Sequence, residues 1–224
     1  KAFKNYRKKY IRYFNLNHKK IKEKKVMLDT SPRVVLVQNV GMFSVGKDLN
    51  SARIAGDLTD TNARVITSVE ETSTYKFIPE KDLFDVEYWS LEQAKIKKKK
   101  KLLEGNVAVI TGSTGTIGFE TYKIFKNYGA EVVLLDNNFE RLKEVQSKIK
   151  DLCIHCDVTN KNNVTKAFNK ICEIYGGIDI LISNAGTAIG GSIAEVDDAI
   201  LRKSFEENFF SHQNCASEAI KIMK

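Results

Sequence analysis

The segment Thr111-Gly-Ser-Thr-Gly-Thr-Ile-Gly118 sets Gly112, Gly115 and Gly118 in a Gly-x-x-x-Gly-x-Gly spacing. A turn of that kind at the start of a helix presents bare backbone N–H groups to the oxygens of a pyrophosphate. The three glycines divide the work into a tight turn, close approach of the ligand, and close packing of helix on strand. Ser113, Thr114 and Ile117 lie between them. Eighteen residues past Gly118, Asp136 follows the apolar run Glu131-Val-Val-Leu-Leu135. A carboxylate there can accept hydrogen bonds from both hydroxyls of an adenosine ribose, and it repels a 2′-phosphate. Thr114 is not basic either, so both features favour NAD over NADP. The competing reading makes Asp136, Asn137 or Asn138 the cap of the next helix.

These residues require a frame to hold them. Asn106-Val-Ala-Val-Ile110 predicts a strand, and Phe119 to Tyr128 an amphipathic helix. Glu131 to Leu135 predicts a second, buried parallel strand. Cys156-Asp157-Val158 ends a third apolar run, and Ser183-Asn184-Ala185-Gly186 ends a fourth, Ile178 to Ile182. Further on, Ser204-Phe-Glu-Glu-Asn208-Phe-Phe lies in a predicted helix.

From about residue 105 to residue 224 the chain resembles the short-chain dehydrogenase/reductase family. The resemblance implies a Rossmann-type doubly wound parallel α/β sheet with strand order 3-2-1-4, and hydride transfer between NAD and a small hydroxy or carbonyl compound. It places Asp157 against the adenine. It also makes Asn184-Ala185-Gly186 the counterpart of the family's Asn-Asn-Ala-Gly motif, with Ser183 in place of the leading Asn. The cofactor contacts so implied are Gly112, Ser113, Thr114, Gly115, Ile117, Gly118, Asp136, Asp157, Val158, Asn184, Ala185 and Gly186. Asn184 reads as a brace between strands more than as a substrate contact. Asn208 matches the catalytic Asn that holds a proton-relaying water; its structural alternative is a polar residue at a helix kink.

In the family a Ser and a Tyr-x-x-x-Lys pair lie on the next strand and helix, and Lys224 comes before either. An internal piece of a longer protein is therefore expected, inactive by itself. The alternative is a dinucleotide-binding module without catalysis. The pair Tyr122 and Lys126 has the same spacing but sits on the helix after the glycine turn, where it is expected to be a decoy. The fourth strand is expected to lack its usual neighbour, and an exposed apolar edge invites association. The full-length protein is expected to be a homo-oligomer.

The apolar fraction of 42% allows a packed core, and no apolar run nears the ~20 residues of a membrane helix. The basic first 25 residues lack the apolar stretch of a secretory signal. The +8 net charge comes from two blocks, residues 1–25 and 95–101, and not from a basic domain. Phe3, Tyr6, Tyr10, Tyr13 and Phe14 interleave the first block at three- and four-residue spacing. That spacing predicts the packing face of a helix over residues 1–25 with a solvated basic face, and no nucleic-acid contact is expected. Cys153, Cys156, Cys172 and Cys215 are expected to be reduced thiols of a cytoplasmic protein, with Cys153 and Cys156 on opposite sides of a buried strand.

Before the glycine turn, Arg33-Val-Val-Leu-Val-Gln38 and Gly41-Met-Phe-Ser-Val-Gly46 predict two strands in hairpin-like proximity. Lys47 to about Ser73 allows a helix, and the segment after Pro79 predicts another to about Lys97. This stretch, with Ser51-Ala-Arg-Ile-Ala55 and Asp82-Leu-Phe-Asp-Val-Glu-Tyr-Trp-Ser-Leu-Glu-Gln93, resembles the C-terminal end of a class II aldolase. More narrowly, it resembles the aldolase half of a bifunctional aldolase/short-chain dehydrogenase.

The resemblance implies a rhamnulose-1-phosphate-like aldolase, with lactaldehyde passed to the dehydrogenase in sugar catabolism. The expected layout is an aldolase-like end over 1–94, a lysine-rich linker over 95–104 and the NAD-binding domain over 105–224. A zinc aldolase needs clustered histidines. His18, lying on the polar side of its helix, His155, on a buried strand, and His212 are scattered, so no metal ligand is expected here.

Overall fold

Four short runs, three of them apolar on both faces, become one parallel sheet, each followed by a helix. The computed structural model describes residues 1–91, 101–188 and 190–223. The chain divides into two compact units, Lys1–Lys100 and Lys101–Lys224. Most of the lysine run 97–101, and the end of the helix expected to reach Lys97, lie outside the described residues.

In the second unit the strands are β3 (Val107–Thr111), β4 (Glu131–Asp136), β5 (Cys153–His155) and β6 (Ile180–Ile182). They are parallel throughout, in the order β5-β4-β3-β6. Within the unit this is the expected 3-2-1-4. The helices are α4 (Thr116–Asn127), α5 (Phe139–Lys148), α6 (Lys161–Tyr175), α7 (Asp198–Phe205) and α8 (Ser211–Met223).

The sheet is cored on both sides by strict alternation. Val107, Val109, Val133 and Leu135 pack with Val164, Phe168 and Ile171 of α6 and with Cys215 and Ala219 of α8. Ala108, Ile110, Val132 and Leu134 pack on the other side with Tyr122 of α4 and Leu142 of α5. Cys153 and Cys156 belong to these two opposite layers, and all four cysteines are free thiols. Burial holds the Cys156 thiol up at about 11 and the Cys215 thiol up at about 12, so both stay protonated.

Side chains place the helix starts. Asn138 Oδ1 accepts from Arg141 N at 3.0 Å to open α5, and Asn160 Oδ1 accepts from Asn162 N at 3.0 Å to open α6. Asp136 is therefore free of that capping duty. Gly176, at φ +83°, ends α6 in the left-handed conformation. The expectation of a buried His155 is corrected: it is exposed, because β5 is an edge strand, and its ring bonds the Asn137 carbonyl at 3.0 Å.

The first unit holds α1 (Ala2–His18), the antiparallel hairpin β1 (Val34–Val37) and β2 (Gly41–Ser44), α2 (Leu49–Glu70) and α3 (Glu80–Glu87). Asp48 caps α2 by accepting from Ser51 N at 2.6 Å. Phe14 of α1 closes on Phe84 and Tyr88. The hydroxyls of Tyr10 and Tyr13 grip the two carboxylate oxygens of Glu87 at 2.6 and 2.9 Å.

The expected aromatic stripe is covered only in part, since Phe3 and Tyr6 are exposed. An eight-residue α3 is about half as long as α1 and cannot reach that end. Two further expectations shift. The first helix ends at His18, not near Lys25, and the chain turns back so that Lys25 N donates to His18 Nε2 at 3.1 Å. His18 is thus half-buried and stacked on Phe14, not on a polar face. Helix α3 stops at Glu87, where Tyr88 leaves helical geometry to plant its ring in the core.

Candidate dinucleotide site

The carboxyl ends of β3, β4 and β6 open onto a cavity of about 870 Å³, within the size range of cofactor pockets. Gly112, Thr114, Gly115, Ile117, Asp136, Asp157, Val158, Asn184, Ala185 and Gly186 all line it. Ser113, Gly118 and Asn208 do not line it. Ser113 is fully buried, its Oγ donating to Leu135 O at 3.1 Å. Gly118 lies behind the turn in the first stretch of α4.

Backbone geometry explains two of the glycines. Gly112 sits at φ +60°, and a Cβ there would stand 2.8 Å from Ala185 Cα. At Gly118 a Cβ would meet Gly112 O at 2.4 Å and Ser113 Cα at 2.8 Å. Any side chain at Gly118 pushes the turn away from the helix that it must join.

Asp136 is nearly buried and ties the second strand to the glycine turn. Its Oδ2 accepts from Thr114 N and Thr114 Oγ1, both at 2.8 Å, and its Oδ1 accepts from Asn138 N at 2.9 Å. Asp157 is locked from below, its Oδ1 accepting from Thr159 N at 2.9 Å and Thr159 Oγ1 at 2.7 Å. Val158 is fixed through its carbonyl, which accepts from Asn214 Nδ2 at 3.2 Å.

Asn184 and Ala185 are held by Thr111. Both backbone N–H groups donate to Thr111 Oγ1, at 2.9 and 3.0 Å, and Asn184 Nδ2 donates to the Thr111 and Gly112 carbonyls. Asn184 therefore braces β6 against β3.

Asn208 lies in a π turn, Glu206–Phe210, between α7 and α8. Its Nδ2 donates to Thr187 O at 2.9 Å and to Ser204 O at 3.0 Å, and its Oδ1 accepts from Thr187 N at 2.9 Å. The amide is committed to clamping the segment after Gly186. One turn on, His212 Nδ1 shares a hydrogen bond of 2.6 Å with Ser183 Oγ, so α8 fastens the residue that follows β6.

The decoy pair is explained by its partner. Tyr122 OH donates to Asp151 Oδ2 at 2.8 Å and Lys126 Nζ to Asp151 Oδ1 at 2.7 Å. Asp151 precedes β5, at the end of the sheet away from the cavity. Burial first, and then the Asp151 carboxylate, push the Tyr122 phenol well up, the opposite of what a general base needs. Replacing Tyr122 by Phe is expected to cost about 1 kcal/mol of stability and to leave dinucleotide affinity unchanged, as read by urea unfolding and by titration. Lost binding with stability intact would contradict the structural role.

Sequence reasoning missed Thr116, Asn137, Asn138, Arg141, Cys156, Thr159, Thr187, Lys203, Glu206 and Glu207 among the lining residues. Proximity to Asp136, Asp157, Gly186 and Asn208 was the available signal. The three histidines take separate structural bonds, and among the described residues no group of three or more His, Cys, Asp or Glu could hold a metal ion. No helix there is long and apolar enough to cross a membrane.

A parallel sheet with a glycine turn after its first strand and a carboxylate ending its second defines an α/β domain of the dinucleotide-binding class. The chain belongs to the short-chain dehydrogenase family: residues 106–224 match the family model described as "short chain dehydrogenase". Residues 1–96 match a second one, "Aldolase class II, second domain". The "Uncharacterized oxidoreductase YuxG" of Bacillus subtilis (strain 168) is 29% identical over 195 residues, 83% of this chain and 28% of that protein. "Short chain aldehyde dehydrogenase 1" of Euphorbia lathyris is 36% identical over 129 residues, 55% of this chain and 45% of that one. A ligand-free aldohexose dehydrogenase of Thermoplasma acidophilum matches at a TM-score of 0.48 and 28% identity, over 53% of this chain and 44% of its own. The chain thus spans less than half the length of these relatives. The matched family is one of oxidoreductases.

Proposed function

We propose that the second unit is the cofactor-binding part of an NAD-dependent oxidoreductase, working beside a class II aldolase. In this reading it acts in the cytoplasm, as part of a homo-oligomer, on a small hydroxy or carbonyl compound of sugar catabolism, of the size of lactaldehyde. The observation that carries the cofactor reading is the convergence of the glycine turn, Asp136 and Asp157 on one cavity. The backbone at Gly112 and Gly118 suits such a group, since a Cβ at either position would occupy neighbouring backbone.

When bound, NAD supplies the hydride acceptor. The amides of the turn and the start of α4 receive the pyrophosphate. Asp136 takes a ribose hydroxyl, and Asp157 and Val158 border the adenine. Ala185 and Gly186 form the floor towards the nicotinamide, set at their height by Thr111. Asn208 holds Thr187 and the segment beyond it. The aldolase match and the resemblance to an oxidoreductase over 83% of the chain support the pairing of an oxidoreductase with an aldolase.

The test is a titration with NADH and NADPH, followed by nicotinamide fluorescence. NADH is expected to bind the tighter of the two, and Asp136→Ala to narrow the gap about tenfold, one unfavourable charge–charge contact being removed. Equal affinities in the unmutated chain would refute the role given to Asp136.

A further inference from the structure

A second cavity lies wholly in the first unit. It encloses about 320 Å³, at the small end of the range for ligand pockets. The chain turns back after α1, where Lys25 N meets His18, and this brings residues 21–25 against the end of α3. Phe84 and Tyr88, both buried, close the floor of the cavity, and Trp89, more than half exposed, forms a wall.

The polar side is built around one ammonium. The Lys25 side chain is only 9% exposed, and its Nζ lies 2.7 Å from Glu23 Oε2. Lys25 Nζ also donates to Ser90 Oγ at 3.2 Å, and Ser90 Oγ donates to Glu23 Oε1 at 3.2 Å. Burying an ammonium is costly unless a carboxylate and hydrogen bonds compensate it. Here the compensating carboxylate belongs to a side chain that is itself 62% exposed. An exposed carboxylate gains little from its pair, because water competes for it. Lys22 and Asp85 also line the cavity, but they are exposed and of opposite sign, so neither sets its preference.

Glu23 thus occupies a position that a carboxylate from solution could take. An ammonium and a hydroxyl suit any carboxylate. The aromatic rings beside them suit an apolar body, which Glu23 does not supply.

We propose that this cavity binds a small aromatic monocarboxylate, which displaces Glu23, pairs with Lys25 and Ser90, and lays its ring against Trp89. Glu23 is then an internal competitor. Its removal tightens binding, the reverse of what losing a ligand contact would do. The site belongs to the first unit alone and does not rest on the dinucleotide reading.

Trp89 is the single tryptophan of the chain, so its emission reports on the cavity directly. The experiment follows that emission while the whole 224-residue chain is titrated with benzoate, and with benzamide as the uncharged isostere. The unmutated protein is compared with Lys25→Met, Lys25→Arg and Glu23→Ala, with circular dichroism to check folding. Benzoate is expected to saturate the signal at millimolar concentration, and benzamide to bind at least about tenfold more weakly. Lys25→Met should weaken benzoate about tenfold or more, while Lys25→Arg should retain most of the affinity, since a guanidinium also pairs with a carboxylate. Glu23→Ala should tighten benzoate about two- to fivefold, the scale of an exposed ion pair. No saturable response to benzoate in the folded chain, or equal affinity for benzamide, overturns the proposal. So does a folded Glu23→Ala variant that binds benzoate no tighter than the unmutated chain. If Lys25→Met fails to fold, the sign of the Glu23→Ala change decides.

Discussion

Gly118→Ala is expected to weaken NADH binding by about 10- to 100-fold. The added methyl would meet the Gly112 carbonyl oxygen at 2.4 Å, and neither that atom nor Ser113 Cα is the end of a flexible side chain. Relief requires the turn to move away from α4, carrying the phosphate-facing amides of Gly112 to Gly115 with it. Overpacking of this kind costs about 1–3 kcal/mol, and about 1.4 kcal/mol is a factor of ten in affinity. Propensity pulls the other way, since Ala is favoured over Gly inside a helix by about 1 kcal/mol. With room at the site, the substitution would therefore stabilise the chain. Titration and a thermal melt on the same sample separate the two outcomes: weak binding with an unchanged or lower Tm supports the cradle, and unchanged affinity with a raised Tm contradicts it.

The second large effect is on stability. Thr111→Val keeps the shape of a fully buried side chain and removes the oxygen that accepts from both Asn184 N and Ala185 N. Two backbone donors then lose their partner, at about 1–3 kcal/mol each. A loss of about 2–4 kcal/mol in urea unfolding is expected, together with weaker NADH binding, because the Ala185-Gly186 floor is released. Thr111→Ser retains the oxygen and should recover most of both. A valine variant as stable as the unmutated chain would show that the pair of bonds contributes little.

Much of this architecture was legible because it is written in short-range patterns. The apolar runs of β3 and β4, the glycines of the turn and Asp136 at a strand end each carry their own physical reason, while the order of the sheet followed from the family resemblance. What was not legible depends on distances that sequence spacing does not carry. His155 reads as buried from its apolar neighbours, but only the sheet order reveals an edge strand. The stripe from Phe3 to Phe14 fits a packing face, yet its exposed end reflects the short length of α3. The π turn at Asn208 cannot be seen in helical periodicity, because it inserts a residue into an otherwise regular pattern. Arg141 is five residues past Asp136 and reads as a solvated helix charge, although it lines the cavity. Tyr122 and Lys126 show the reverse case, in which a correct spacing is emptied of catalytic meaning by Asp151 at the far end of the sheet.

The central claim, that the carboxyl ends of β3 and β4 hold a nicotinamide dinucleotide, is tested most directly by isothermal titration of NAD⁺ into the folded chain beside its Gly118→Ala variant. One NAD⁺ per chain is expected to bind saturably, competed by ADP-ribose and weakened at least tenfold in the variant. Heats of dilution alone in the unmutated chain, or equal binding by both chains, would contradict it.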